Sequence, residues 1–298
     1  MPTKRSQGML SLIRANKKWA MGLGNDILMQ IDPPLDKVAK LRVNDTTAVQ
    51  AENLGMPGLL VYPHTRLFSD GAILHLHGGA YISGGILQCR ALISPICAFS
   101  GVPALTFSYR LAPQHPYPAQ LEDAARAYRW LIGRGYDPRR IVLVGESAGG
   151  NLALALALRL RDAGEPLPAG IALLSPWVDL AQQGKSYRML QEVDATLNAE
   201  ALMESALAFA GSADRLTDPA ISPVYADFTG FPPVEIHCGT SEILLSDSEN
   251  LENALLRDGV NAHLIRWEGM CHVFQAFGFE ESKASNIQIG AFIQKCLQ

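Results

Sequence analysis

From about residue 57 onward, short apolar runs alternate with stretches whose apolar positions recur every three to four residues. The runs Gly58–Tyr62, Ala72–His77, Ala104–Ser108, Ile141–Gly145, Gly170–Ser175, Val234–Cys238 and His263–Trp267 are mostly apolar throughout. Strands buried on both faces have that character, whereas a half-exposed sheet alternates apolar with polar. Helical spacing is expected over Ala119–Arg134, Ala148–Ala163, Ser246–Arg257 and Glu280–Lys295; in the first, Leu121, Ala124, Ala125, Tyr128 and Leu131 share a face. Alternating strands and helices predict an α/β fold, a mostly parallel central sheet flanked by helices.

Two stretches fall outside the alternation. Residues 1–45 begin with Met9, Leu10, Ile13, Trp19 and Ala20 interleaved with Lys4, Arg5, Arg14, Lys17 and Lys18, ahead of the first acid, Asp26. That spacing predicts an amphipathic helix docked on the body rather than a transit peptide. In residues 180–216, Met189, Leu197, Leu202, Met203, Leu207 and Phe209 point to helices outside the sheet. Ligands of α/β sheets lie beyond the carboxyl ends of the strands, so segments inserted there are placed to cover them. The expected organisation is an N-terminal cap segment (1–45) and a catalytic domain (46–298) carrying a second cap insertion (180–216).

Composition narrows the class. The 298 residues are 48% hydrophobic and 18% charged, with a net charge of −4. Nucleic-acid binding would need a clustered basic face, and none is visible. The longest apolar stretch, Leu152–Leu158, is too short to span a bilayer, and no signal-peptide core is present. Cys89, Cys97, Cys238, Cys271 and Cys296 are odd in number and widely spaced, which fits neither a disulfide framework nor a metal knuckle. A cytoplasmic protein with free thiols is expected. Cys271 adjoins His272, but neighbouring loop residues usually point apart, so a Cys-His nucleophile is disfavoured.

The chemistry-bearing residues stand at predicted strand ends. Gly145-Glu146-Ser147-Ala148-Gly149 lies between the strand at Ile141 and a helix-forming run. Such a strand-turn-helix around G-x-S-x-G presents its serine at the top of the sheet, and small residues at 145 and 149 permit the close approach. His77-Gly78-Gly79-Ala80 ends the strand that begins at Ala72. An acyl-transfer transition state develops negative charge on oxygen and needs donors already aimed at it. The expected oxyanion hole is the N–H groups of Gly78, Gly79 and Ala148. A serine hydroxyl also needs a base, and the chain order is serine, acid, histidine. Of seven histidines, only His272 follows the last strand; His237 and His263 sit within strands, and the others precede Ser147. The acid should follow Val234–Cys238, where Glu242 is in the next loop and Asp247 lies five residues on. Asp247 is expected in the first turn of a helix, where an acid complements the helix dipole. Glu242 is therefore preferred.

With HGGA at 77–80, Tyr109-Arg110-Leu111-Ala112-Pro113, GESAGGN at 145–151, Ser175-Pro176-Trp177-Val178-Asp179 and Gly269-Met270-Cys271-His272, the chain resembles bacterial esterases of the hormone-sensitive lipase family from about residue 70 to the C-terminus. The resemblance implies an α/β-hydrolase fold with a small helical cap, hydrolysis of short-chain acyl esters through Ser147, His272 and Glu242, and no cofactor or metal. The expected partner is a small-molecule ester, and many members are homodimers. Two positions depart from the pattern. Alanine stands at 80 where the family usually has a third glycine, and Glu242 is followed by Ile-Leu where an aspartate followed by Pro-Leu is common. A non-catalytic receptor, as in the plant gibberellin receptors that resemble this family, would lack a complete triad. An acyltransferase, lactonase or amidase would share it.

Overall fold

The computed structural model describes residues 2–23, 34–41, 43–68 and 70–298, with the side chains of the first helix described up to residue 14. All seven apolar runs form strands. An additional strand, β1 (Thr46–Gln50), precedes β2 (Gly58–Pro63), β3 (Ala72–Leu76), β4 (Ala104–Phe107), β5 (Ile141–Glu146), β6 (Gly170–Leu174), β7 (Val234–Gly239) and β8 (Ala262–Trp267). They make one sheet in the order β1-β2-β4-β3-β5-β6-β7-β8. β2 runs antiparallel to β1 and β4, and the remaining pairs are parallel.

The two-residue repeat of a strand sends alternate side chains to opposite faces. Leu74, Leu76, Leu143, Ile171 and Leu173 join one core with α4 (Ala119–Gly133), α5 (Ala148–Asp162) and α8 (Leu245–Arg257). Their neighbours Ile73, Val142, Val144, Ala172 and Leu174 join a second core with α2 (Leu35–Ala39), α3 (Ile86–Ser100) and α9 (Glu280–Cys296). Each side chain fully buried in these layers is worth roughly 1.5–3 kcal/mol. The predicted helices agree with the observed ones to within a residue at each end.

β1 and α3 have no counterpart in the sequence reading. β1 is short and lies at the sheet edge with three of its five residues exposed, so it carries no apolar run. In α3 apolar residues stand on all sides and Pro95, a residue that argues against a helix interior, lies within it, which hides the helical period.

The segments expected outside the sheet are helical: α1 (Lys4–Leu23), α6 (Ser186–Met189) and α7 (Ala199–Ala210). Leu10 of α1 is buried in a small cluster with Ala195, Met270, Cys271, Phe274 and Phe279, and Met9 and Ile13 pack on its margin. Leu12 is exposed, as an amphipathic helix requires. The Thr3 N–H and Ser6 Oγ donate to the Glu281 carboxylate at 2.8 and 2.6 Å, tying the start of α1 to the start of α9. The side chains of Lys17, Lys18, Trp19 and Ala20, and the whole of Asp26, lie outside the described residues. No described helix is long and apolar enough to cross a membrane.

The first turn of α5 passes against the end of β3. A Cβ added at Gly149 would stand 1.9 Å from the Leu76 carbonyl oxygen and 2.6 Å from that of His77. Both obstacles are backbone atoms, so no rotamer change relieves the clash. Gly149→Ala is expected to destabilise the fold by about 2 kcal/mol or more in urea unfolding. An unchanged midpoint would contradict this packing.

Candidate active site

The parallel strands deliver their loops to one edge of the sheet. HGGA follows β3, Ser147 follows β5, Ser175 follows β6, Glu242 follows β7 and His272 follows β8. Ser147 sits between strand and helix at φ 55°, ψ −122°, a conformation L-residues rarely adopt. Such positions cost about 1–3 kcal/mol and persist only where the surroundings dictate them. Here the Ser147 N–H donates to the Leu174 carbonyl at 2.9 Å and its carbonyl accepts from Trp177 N–H at 3.0 Å. The elbow is thus braced by the chain leaving β6.

Glu242 and His272 meet as expected, with His272 Nδ1 2.7 Å from Glu242 Oε2. A carboxylate only accepts, so Nδ1 is the donor of this bond, and in a neutral imidazole the lone pair then lies on Nε2. The other oxygen, Oε1, accepts from Ser175 Oγ at 2.7 Å, Gly239 N–H at 2.8 Å and Cys238 Sγ at 3.2 Å. Ser175 Oγ in turn accepts from Val273 N–H at 3.1 Å. One hydroxyl therefore joins the carboxylate to the loop carrying the imidazole, from a residue at φ 47°. Among the described residues, Ser147 Oγ makes no hydrogen bond to His272; such contacts are often long in unliganded enzymes and tighten with substrate.

Asp247 occupies the first turn of α8 but is not a surface partner of the helix dipole. It is fully buried, and its Oδ2 accepts from Val178 N–H and Asp179 N–H, both at 2.9 Å, and from Tyr187 hydroxyl at 3.2 Å. It ties down the loop after Ser175 and, among the described residues, makes no hydrogen bond to a histidine. Burial, with a smaller push from the charge of Asp179, moves its carboxyl well above the ordinary range against those hydrogen bonds. Asp194 holds the acid loop from the other side, its Oδ2 accepting from Ile243 N–H at 2.8 Å.

The loop after β3 corrects one expectation. Gly78 donates its N–H to Glu146 Oε1 at 2.7 Å and so is not available to a substrate. No protein acceptor among the described residues takes the N–H of Gly79, Ala80 or Ala148. Gly79, Ala80 and Tyr81 are all at positive φ, 109°, 52° and 65°. Only Gly79 adopts this freely: a Cβ there would lie 2.2 Å from the Ser83 carbonyl oxygen. Alanine at 80 is accordingly a strained replacement for glycine.

The sequence reading missed Ser175, Asp194 and the buried chain Thr106–His75–Glu146. His75 Nδ1 lies 2.8 Å from Thr106 Oγ1 and Nε2 lies 2.8 Å from Glu146 Oε2. Ser175 and Glu146 both belong to recognisable motifs, but nothing local says where their side chains bond. His237 is buried with Glu235, Ser285 and Trp267 as partners, and His263 is exposed. Burial, aided by the charge of Glu242, pushes the Cys271 thiol up to about 12, the opposite of an activated nucleophile. A cavity of about 600 Å³ between α4, α5 and residues 218–227, lined by Tyr117, Leu121, Leu158, Arg159 and Tyr225, includes none of the strand-end residues.

His77 is stacked on Tyr109, with ring centroids 3.9 Å apart. Its Nδ1–H donates to the Gly78 carbonyl at 2.6 Å, and its buried Nε2 has no hydrogen-bond partner among the described residues. Burial lowers its pKa from the ordinary 6.5 to about 4, outweighing that hydrogen bond and the charge of Glu146. Between pH 6.5 and 4 the unfolded chain takes up a proton here that the folded chain refuses, so this residue makes stability fall with pH across that window. The stability difference between wild type and His77→Gln is expected to shrink by roughly 3 kcal/mol from pH 6.5 to pH 4 in urea titrations. A difference independent of pH would show that His77 is not held neutral.

Comparison with known proteins agrees with this architecture. A family profile described as alpha/beta hydrolase fold matches residues 73–276. An esterase of Acinetobacter venetianus is 36% identical over 263 residues, covering 87% of this chain and 86% of that protein. An acetyl-hydrolase of Streptomyces hygroscopicus is 37% identical over 228 residues, covering 76% of each. Among solved structures, an esterase from the bacterial hormone-sensitive lipase family superposes with a TM-score of 0.87 at 33% identity, covering 100% of both chains. An esterase/lipase from an uncultured bacterium superposes at 0.86 with 32% identity, covering 99% of both. Matched by that profile over residues 73–276 and by a 33% identical structure over its full length, the chain belongs to the α/β-hydrolase fold family, in its bacterial hormone-sensitive lipase branch.

Proposed function

We propose that this carboxylic ester hydrolase cleaves short-chain acyl esters with Ser147 as nucleophile, His272 as general base and acid, and Glu242 as the acid that orients the imidazole. The observation that carries the reading is the 2.7 Å bond from His272 Nδ1–H to Glu242 Oε2 at the same sheet edge as the Ser147 elbow. It leaves Nε2 free to accept a proton. The short acyl preference draws on the acetyl-hydrolase relative.

In the proposed cycle, Ser147 Oγ bonds to the ester carbonyl carbon while its proton passes to His272 Nε2. The carbonyl π pair moves to oxygen, where the N–H groups of Gly79, Ala80 and Ala148 receive it. Gly78, engaged with Glu146, acts on that site only through the loop. Collapse breaks the C–O bond, and the leaving alkoxide takes the proton from His272. Water then repeats the sequence on the acyl-enzyme, giving its proton to His272 and its oxygen to the acyl carbon, and frees the acid and Ser147. α1 and residues 180–216, which meet at Leu10 and Ala195 beside the His272 loop, serve as the cap.

Ser147→Ala is expected to abolish hydrolysis of p-nitrophenyl butyrate without a loss of folded protein by circular dichroism; activity near wild type would rule out Ser147. Glu242→Ala should lower kcat by about 10³–10⁴-fold. Asp247→Ala should lower Tm while the folded fraction keeps kcat within a few-fold. The reverse pattern would make Asp247 the acid.

A further inference from the structure

The cycle above uses the carboxylate–histidine pair Glu242 with His272, and a second carboxylate beside the Ser147 elbow, Glu146, pairs with His75. We propose that Glu146 is a positioning residue for the oxyanion site: its carboxylate anchors the loop after β3 so that the N–H groups of Gly79 and Ala80 stay aimed at the carbonyl attacked by Ser147. This inference rests on the reading of Ser147 as nucleophile.

The geometry is that of a clamp. Glu146 directly precedes Ser147, and Gly78 directly precedes Gly79. Glu146 Oε1 accepts from Gly78 N–H at 2.7 Å, and Oε2 is 2.8 Å from His75 Nε2. His75 is fully buried and held at its other nitrogen by Thr106 Oγ1 at 2.8 Å, so the carboxylate has a fixed support inside the sheet. A Cβ added at Gly78 would stand 2.9 Å from the Glu146 carbonyl oxygen and 3.0 Å from Ser147 Cβ. The loop therefore already touches the elbow and can shift only away from it, and the hydrogen bond to Glu146 opposes that shift.

Strain supplies the reason an anchor is needed. Gly79, Ala80 and Tyr81 follow one another at positive φ. For the two residues with a Cβ this conformation persists only if something outside the loop imposes it. Tyr81 hydroxyl is tied to Asn151 Oδ1 at 2.9 Å on one side, and Gly78 is tied to Glu146 on the other. A charge-assisted bond to a backbone N–H is stronger than its neutral counterpart. A carboxylate beside a point of developing negative charge also opposes that charge, so packing alone would be better served by a neutral side chain.

The amide of Glu146→Gln can reproduce the clamp. Its oxygen accepts from Gly78, and its NH₂ donates to His75 Nε2 once the imidazole proton moves to Nδ1 and points at Thr106 Oγ1. Glu146→Ala removes it. The readouts are kcat and KM for p-nitrophenyl butyrate and the affinity of a trifluoromethyl ketone. In the ketone adduct, Ser147 Oγ bonds to the carbonyl carbon and the resulting alkoxide occupies the oxyanion site. In Glu146→Ala, kcat is expected to fall about 10–100-fold, below the 10²–10³ of losing one donor outright, with KM within about two-fold. The ketone affinity should fall by the same factor as kcat/KM. Glu146→Gln should remain within about three-fold in all three. If Glu146→Ala does not fold, Glu146→Asp, one methylene too short to span Gly78 and His75, should show the same pattern. Equal losses in Glu146→Ala and Glu146→Gln would overturn the proposal, as would a lowered Tm with kcat and ketone affinity unchanged. Reaction of wild type with diethyl p-nitrophenyl phosphate, which expels p-nitrophenol as the oxygen–phosphorus bond forms, separates the two readings. A diethylphosphoryl group on Ser147 by mass spectrometry supports the footing of the proposal, and a label on another residue would overturn both.

Discussion

At Gly149 the first turn of α5 lies so close to the end of β3 that no side chain fits between its backbone and the carbonyls of Leu76 and His77. Much of the site depends on this contact. It sets the height at which Ser147 leaves β5 relative to the loop leaving β3, and it brings Gly78 within reach of the Glu146 carboxylate. Among the described residues, the N–H groups of Gly79, Ala80 and Ala148 have no protein acceptor, and unpaired donors of this kind are what the proposed cycle needs for its developing negative charge.

Buried carboxylates divide the remaining work. Glu146, Asp194, Glu242 and Asp247 are all buried at the sheet edge or just beneath it. Each accepts from backbone N–H groups, which is the main way a protein tolerates such a group away from water. Asp194 and Asp247 hold loops through backbone N–H groups. Glu146 and Glu242 each bind a histidine, with different consequences. His75 is occupied at both ring nitrogens, by Glu146 and by Thr106, which leaves it no nitrogen for an external proton. Among the described residues, His272 is hydrogen-bonded at Nδ1 and not at Nε2. That difference, and not the presence of a carboxylate partner, is why the proposed cycle takes His272 as its base.

Strain is concentrated at the same edge. Ser147, Ser175, Ala80, Tyr81 and Val273 all lie at positive φ, and all belong to loops that follow strands of the sheet. Such conformations cost about 1–3 kcal/mol each and need a rigid frame. Two cores of fully buried aliphatic side chains, one on each face of the sheet, provide it. Ala80 shows the tolerance of that frame: a position suited to glycine carries a Cβ at φ 52° while the loop keeps its bonds to Glu146 and Asn151.

Seven of the eight strands, most helices, the Ser147 elbow and the location of His272 beyond the last strand were legible along the chain. Those features are local, because side-chain period and glycine placement act within a few residues. β1 and α3 escaped for local reasons too, an edge strand without an apolar run and a helix whose period is blurred by Pro95 and by apolar residues on all sides. Which polar atoms were already taken became visible with the packed fold. Glu146 reaches Gly78 across 68 positions, Ser175 reaches Val273 across 98 and Asp247 reaches Val178 across 69. A pattern along the chain ranks residue types by what they can do. Hydrogen bonds are exclusive and short-ranged, so whether Gly78 or Ala80 keeps a free N–H, and whether Glu242 or Asp247 meets the imidazole, depends on which strand ends the sheet places side by side.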